Sequence, residues 1–166
     1  MSHPETPVLT LYADNLDEST IPDGPVHKGA RAVILYEGEV MLVHLKKPNL
    51  YTLPGGGIET GETPAQALKR EVREETGLTV KTAHPTLTLK EYFPDSIWVH
   101  HFFKVGIDSK DQAPVQLTDE EKTLGFTTCF KPVEDALDIL QNNVSLHPHG
   151  KNIQNREWLG IVHSIE

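Results

Sequence analysis

Apolar and β-branched residues fill ARAVILYEGEVMLVHLKK on both sides of Glu37-Gly38, which predicts two strands around a tight turn. LTVKTAHPTLTLKEYF and IWVHHFFKVGI are strand-like across a PDS turn, and LGFTTCF adds a shorter strand. PNLYTLPGGG reads as a short strand entering a glycine loop. Helical patterns cover residues 64–76, PVEDALDILQNN with Pro132 near its start, and a closing NIQNREWLGIVHSI, in which Trp158, Leu159 and Val162 form the apolar side. Residues 108–123 are polar and loop-like. Residues 1–25 are an N-terminal segment in which VLTLYA is a candidate edge strand, and residues 26–166 form one domain without repeats or linkers. Strands mixed with about three helices point to an α/β sheet covered by helices.

Composition narrows the classes. A chain of 166 residues, 37% hydrophobic and 23% charged, is long enough for one domain with a core. No run approaches the roughly 20 apolar residues of a membrane span. The start, MSHPETPVLTLYADN, has neither a basic region nor a long apolar stretch, so no secretory signal is expected. The lone Cys129 cannot form an internal disulfide and reads as a small hydrophobe, which fits a cytoplasmic protein. A net charge of −9 without a dense Lys/Arg run disfavours nucleic acid, and neither it nor a membrane is an expected partner. An anionic small molecule would need a metal or a few placed cations.

The helix over 64–76 carries the chemistry. Thr63 is its predicted N-cap, Pro64 suits the first position, Gln66 completes a capping box and Gly77 ends the helix. At about 100° per residue, Ala65, Leu68 and Val72 share one stripe, and Glu71, Glu74 and Glu75 fill an adjoining arc. Like charges at this spacing repel by a few tenths of a kcal/mol. Acids in a last turn also face the negative end of the helix dipole, costing about 0.3–1 kcal/mol each. A solvated, salt-bridged face is the ordinary explanation for such a cluster. A divalent-cation site is the other. Oxygen ligands with no nearby His or Cys favour Mg²⁺ or Mn²⁺.

The preceding loop separates these readings. From Gly56 the residues run G-x5-E-x7-R-E-V-R-E-E-T-G-L, which resembles the Nudix box at every defined position over residues 56–78. The resemblance implies a Nudix-type α/β/α sandwich around a mixed sheet. It also implies a hydrolase that cleaves the diphosphate of a nucleoside diphosphate linked to a group X, using Mg²⁺ or Mn²⁺. By similarity, Glu71, Glu74 and Glu75 hold the metal. Gly55, Gly56 and Gly57 shape the loop, Arg70 braces the carboxylates, and Glu59 and Glu62 support the loop–helix geometry. Glu71 is the first candidate for the base. Glu120 and Glu121 are loop candidates, against a plain solvated acidic loop. Glu62 occupies the position at which a P-loop needs its lysine, and the glycines do not fit a dinucleotide fingerprint.

The box leaves X open. Pro94 stands 16 residues after Leu78, a spacing associated with ADP-ribose hydrolases of this family, although YFPDS also reads as a turn. Arg31, Lys46 and Lys104 are candidate phosphate contacts, with exposed surface as the default for each. Tyr51, Phe93, Trp98 and Phe103 are candidates for a base-stacking wall, though aromatic residues in strands are more often core. None of the nine histidines has zinc-ligand spacing on a convincing helix. The expected substrate is a small nucleotide-type molecule, the expected state a monomer or homodimer. The competing functions are a specific ADP-ribose or nucleotide-sugar pyrophosphatase and a catalytically silent nucleotide-sensing module.

Overall fold

The computed structural model describes residues 5–13, 16–19 and 24–165. The chain runs β1 (Val8–Tyr12), β2 (Val26–Tyr36), β3 (Glu39–Leu45), β4 (Leu50–Thr52), β5 (Gly55–Gly57), α1 (Pro64–Thr76), β6 (Thr82–Phe93), β7 (Ser96–Gly106), α2 (Asp119–Leu124), β8 (Phe126–Pro132), α3 (Val133–Asn142) and α4 (Gly150–Ile165). Glu37 and Gly38 turn the chain between β2 and β3 with φ of 50° and 80°, the positive values that a two-residue hairpin loop requires.

The strands form one mixed sheet of order β1-β6-β7-β2-β3-β4, with β5 on β2 and β8 on β3. β1 runs parallel to β6, and β7 runs parallel to β2 from Val26↔Ile97 to Leu35↔Gly106. The sheet then splits. β2 pairs with β3 only at Leu35↔Val40 and Tyr36↔Glu39. Further along, β2 takes β5 as its partner at Gly29, Ala30 and Arg31, while β3 turns to β4 and β8. The two halves of the sheet therefore diverge beside the glycine loop.

Strand alternation sends side chains to two cores. Ala30, Ala32, Ile34, Met41, Phe103 and Val105 pack with Ala67, Leu68 and Val72 of α1. Val33, Val40, Leu42, Leu87, Leu89 and Phe102 pack with Ala136, Leu140 and Ile161 of α3 and α4. The result is the α/β/α sandwich around a mixed sheet that the box implies.

Three elements differ from the sequence reading. Gly55–Gly57, read as a glycine loop, form β5 against Gly29, Ala30 and Arg31 of β2. Within the polar stretch 108–123, Asp119–Leu124 form α2, held by a capping box between Thr118 and Glu121. It buries no residue, so it leaves no apolar periodicity to read. On α4, Trp158 and Leu159 pack against the second core from its flank, partly buried, and Val162 is not part of that cluster. The fully buried positions are Gln154, Arg156, Glu157, Gly160, Ile161 and Ser164, several of them polar or charged. Gly160 lets the helix approach the sheet so closely that a Cβ there would lie 2.3 Å from the Phe102 ring. Among the described residues, no helix is long and apolar enough to cross a membrane.

Candidate active site

The capping pattern read from the sequence is present in α1. The Thr63 hydroxyl accepts from the Gln66 N–H, the Gln66 side chain accepts from the Thr63 N–H, and Gly77 closes the helix at φ 72°. Arg70 lies at the centre of the loop–helix junction. Its guanidinium grips Glu62 through two bonds of 2.8 and 3.0 Å and donates to the Gly57 carbonyl at 3.1 Å. It also donates to Glu71 at 2.9 Å and Glu74 at 3.3 Å. Glu59 stands 3.9 Å from it and donates its backbone N–H to Glu62. The paired guanidinium holds the Glu62 carboxyl down to about 2. One cation thus offsets part of the carboxylate crowding and ties the loop to the helix.

Glu75 lies on the inner side of this cluster. It is 5% exposed, and its carboxylate accepts the Gly55 N–H at 2.7 Å. Burial, then a side-chain hydrogen bond with Glu121, push the Glu75 carboxyl up to about 10. Burial also raises Glu71, against the lowering effect of Arg70. The loop comes this close because Gly56 has no side chain: a Cβ there would sit 2.6 Å from the Glu71 carboxyl carbon. Gly57 faces open space, so its lack of a side chain answers to no contact.

Glu121 arrives from a point remote in sequence. The backbone N–H groups of Ala113 and Gln116 and the Gln112 side-chain amide donate to the carbonyls of Gly77, Glu74 and Thr76. These bonds satisfy helix-end acceptors and anchor the segment that leads to α2. The Glu121 side chain then serves both as the α2 cap and as the partner of Glu75.

Glu75, Glu120, Glu121, Gly55 and Arg31 border one cleft of about 460 Å³. It opens where the sheet splits. One wall is the α1-facing side of β3, β4 and β8, with Val43, Leu45, Thr52 and Phe126. The other is the α4-facing side of β6 and β7, with Glu91, Phe93 and Trp98. Pro94 lies on the rim.

The other predicted contacts divide. Arg31 is not a surface cation: its side chain is 19% exposed, donates to the Leu53 carbonyl at 3.3 Å and lies 3.9 Å from Glu157. Burial lowers its pKa and Glu157 opposes that effect. Tyr51 does not reach the cleft. Its neighbours Leu50 and Thr52 line it, so alternation turns Tyr51 to the other side, stacked on His44 at 4.3 Å. Lys46 and Lys104 are exposed and do not border the cleft, and Phe103 belongs to the core.

Three charged residues escape the sequence reading: Glu91, Arg156 and Glu157, exposed by 1, 6 and 0%. Arg156 donates to Glu157 at 3.0 Å, and Glu157 accepts the Leu53 N–H at 3.2 Å. The chain contains a signal for each. Glu91 continues the inward-facing Leu87, Leu89, Phe93 alternation, and Glu157 shares a helical face with Ile161 and Ser164.

Among the described residues, no three His, Cys, Asp or Glu side chains already form a metal cage. Glu71 and Glu74 turn to Arg70, and Glu75 to Gly55 and Glu121. The donor set still fits a hard divalent cation. It is all oxygen, and burial first, then the neighbouring Glu121 and Glu71, raise the Glu75 carboxyl, an effect that a divalent charge would oppose.

The Nudix-domain family model matches residues 26–150 of the chain. A MutT-like protein of Streptomyces ambofaciens is 35% identical over 75 residues, 44% of this chain and 47% of that protein. An ADP-ribose pyrophosphatase of Bacillus subtilis (strain 168) is 33% identical over 150 residues, 81% of this chain and 77% of that protein. The chain spans about half the length of two of the curated relatives it matches. The crystal structure of a MutT Nudix hydrolase from Burkholderia pseudomallei superposes with a TM-score of 0.58 at 18% identity, covering 80% of this chain and 98% of that one. A family match over most of the chain, joined to the same sandwich, means that this chain belongs to the Nudix family.

Proposed function

We propose that the protein hydrolyses the diphosphate bond of a nucleoside diphosphate linked to a second group. The observation that carries this reading is the meeting of Glu75, Glu121 and Arg31 at one cleft, from three separate parts of the chain. Nudix hydrolases generally need a divalent metal. Here Glu71, Glu74 and Glu75 would hold Mg²⁺ or Mn²⁺. When bound, the ion supplies charge neutralisation at the diphosphate oxygens and a more acidic attacking water.

The chain's own groups do the rest. Arg31, fixed between Leu53 and Glu157, offers a cation to a phosphate oxygen. Arg70 positions Glu71 and Glu74. Glu121 is the base favoured by its place: it borders the cleft beside Glu75, whereas Glu71 is engaged by Arg70. A second reading, ADP-ribose as the substrate, is supported by the name of the B. subtilis relative and by Pro94 on the cleft rim.

The test is a substrate panel with Mg²⁺, Mn²⁺ or EDTA, its products separated by chromatography. AMP plus ribose 5-phosphate identifies ADP-ribose, and a nucleoside monophosphate plus pyrophosphate identifies a triphosphate. Metal-dependent turnover of any member supports the proposal. Silence across the panel with tight nucleotide binding would replace it with a sensing module.

A further inference from the structure

We propose that Glu91 reads the base of the nucleotide, accepting N–H donors from an amino-bearing nucleobase at the part of the cleft walled by Phe93, Trp98 and His149. This rests on the nucleotide reading of the same cleft. Glu91 borders the cavity yet is 1% exposed, and neither of its carboxylate oxygens has a hydrogen-bond partner among the described residues. A buried carboxylate without donors is costly, and native structures rarely leave one.

Its neighbours compensate the charge only in part: burial raises the Glu91 carboxyl, against the lowering effect of Arg156. Arg156 Nη1 is 3.7 Å away and His100 Nε2 3.5 Å. Arg156 directs Nη1 to His100 Nε2 at 3.3 Å and Nη2 to Glu157 at 3.0 Å. Arg156 can only donate, so this contact assigns Nε2 as acceptor and leaves the neutral ring's proton on Nδ1, which itself has no partner among the described residues. Burial and the Arg156 charge both keep His100 neutral. Arg156 thus holds a counter-charge beside Glu91, whose buried oxygens have no donor at ordinary hydrogen-bond distance among the described residues.

The surroundings suit a flat heterocycle. Trp98 lies directly across the β6–β7 pair from Glu91, and its ring stacks with His27 at 4.5 Å and with His100 at 5.9 Å and 6°. Phe93, two residues along the same strand face, meets His149 edge-on at 5.1 Å. Aromatic faces take any base by stacking, whereas a fixed acceptor distinguishes bases by their N–H groups. Adenine, guanine and cytosine each carry an exocyclic amino group that the carboxylate would meet.

The test is calorimetric titration of AMP, GMP and CMP, each against purine riboside 5′-monophosphate, which has no amino group. At least one amino-bearing probe should bind wild-type protein about tenfold more tightly than the purine riboside probe. In Glu91→Ala that preference should shrink to within about twofold. Glu91→Gln keeps the shape and one acceptor, so it covers the case in which the alanine variant fails to fold. Its preference should fall at least about threefold in a variant that keeps a cooperative unfolding transition. A wild type that binds none of the probes or shows no preference, or folded variants that keep the full preference, would overturn the proposal. None of the probes has a diphosphate bond, so this result stands apart from whether the panel shows hydrolysis.

Discussion

Adjacent glutamates meet opposite surroundings at the end of α1. Glu74 leans toward Arg70 and solvent, while Glu75 is buried beside Gly55 and Glu121 with its carboxyl at about 10. An unfolded chain ionises a glutamate near about 4.3. Between these values the folded chain holds a proton that the unfolded chain releases, so Glu75 makes stability fall as pH rises from about 4.3 toward 10. Glu75→Gln removes that dependence. In EDTA it should melt above wild type at about pH 8 and close to it at about pH 5, with turnover lost in metal; thermal scans and a rate assay check both. Gly56 and Gly57 should separate just as clearly. Gly56→Ala drives a methyl into the Glu71 carboxyl and should lower kcat/KM at least about tenfold, while Gly57→Ala points into open space and should stay within about twofold. Glycine requirements of this kind are visible in the box only as a pattern, since what each Cβ would strike depends on how the loop folds back onto α1.

Two capping boxes do different work at the scale of the element. Thr63 starts a helix whose Leu68 and Val72 are core, whereas Thr118 starts a short one that buries no residue. Thr63→Ala should therefore cost about 1 kcal/mol in urea unfolding and leave the rate little changed. Thr118→Ala should show the reverse, a small stability change and a clear drop in kcat, because fraying α2 releases the glutamate that meets Glu75. The first box was legible because an apolar stripe follows it. The second was not, because α2 answers to the bonds between the 112–116 segment and the end of α1 rather than to a buried face.

At the scale of the whole molecule, the cleft exists because the sheet splits. β2 leaves β3 after two paired positions, and the opened space is floored by a charged chain from Arg31 through Glu157 and Arg156 to Glu91. Removing a buried cation strands the acids it neutralised. Arg156→Ala should cost about 3–5 kcal/mol in denaturant unfolding, far more than an exposed ion pair such as Lys81–Asp108 is worth.

The amino-acid sequence by itself determined the longer strands, the limits and caps of α1, and the gathering of Glu71, Glu74 and Glu75 on one arc. All follow from short-range rules: strand period, helix period and the hydrogen bonds of helix ends. Tertiary structure alone decided that Glu121 reaches Glu75, that Arg31 is held inside the cleft, and that Tyr51 faces away from it. It also decided that Glu91 is buried beside Phe93 and Trp98 with no donor at ordinary hydrogen-bond distance among the described residues. Each of these depends on where the sheet divides and how closely α4 approaches it. Both are set by packing between residues too distant in sequence for any local pattern to record.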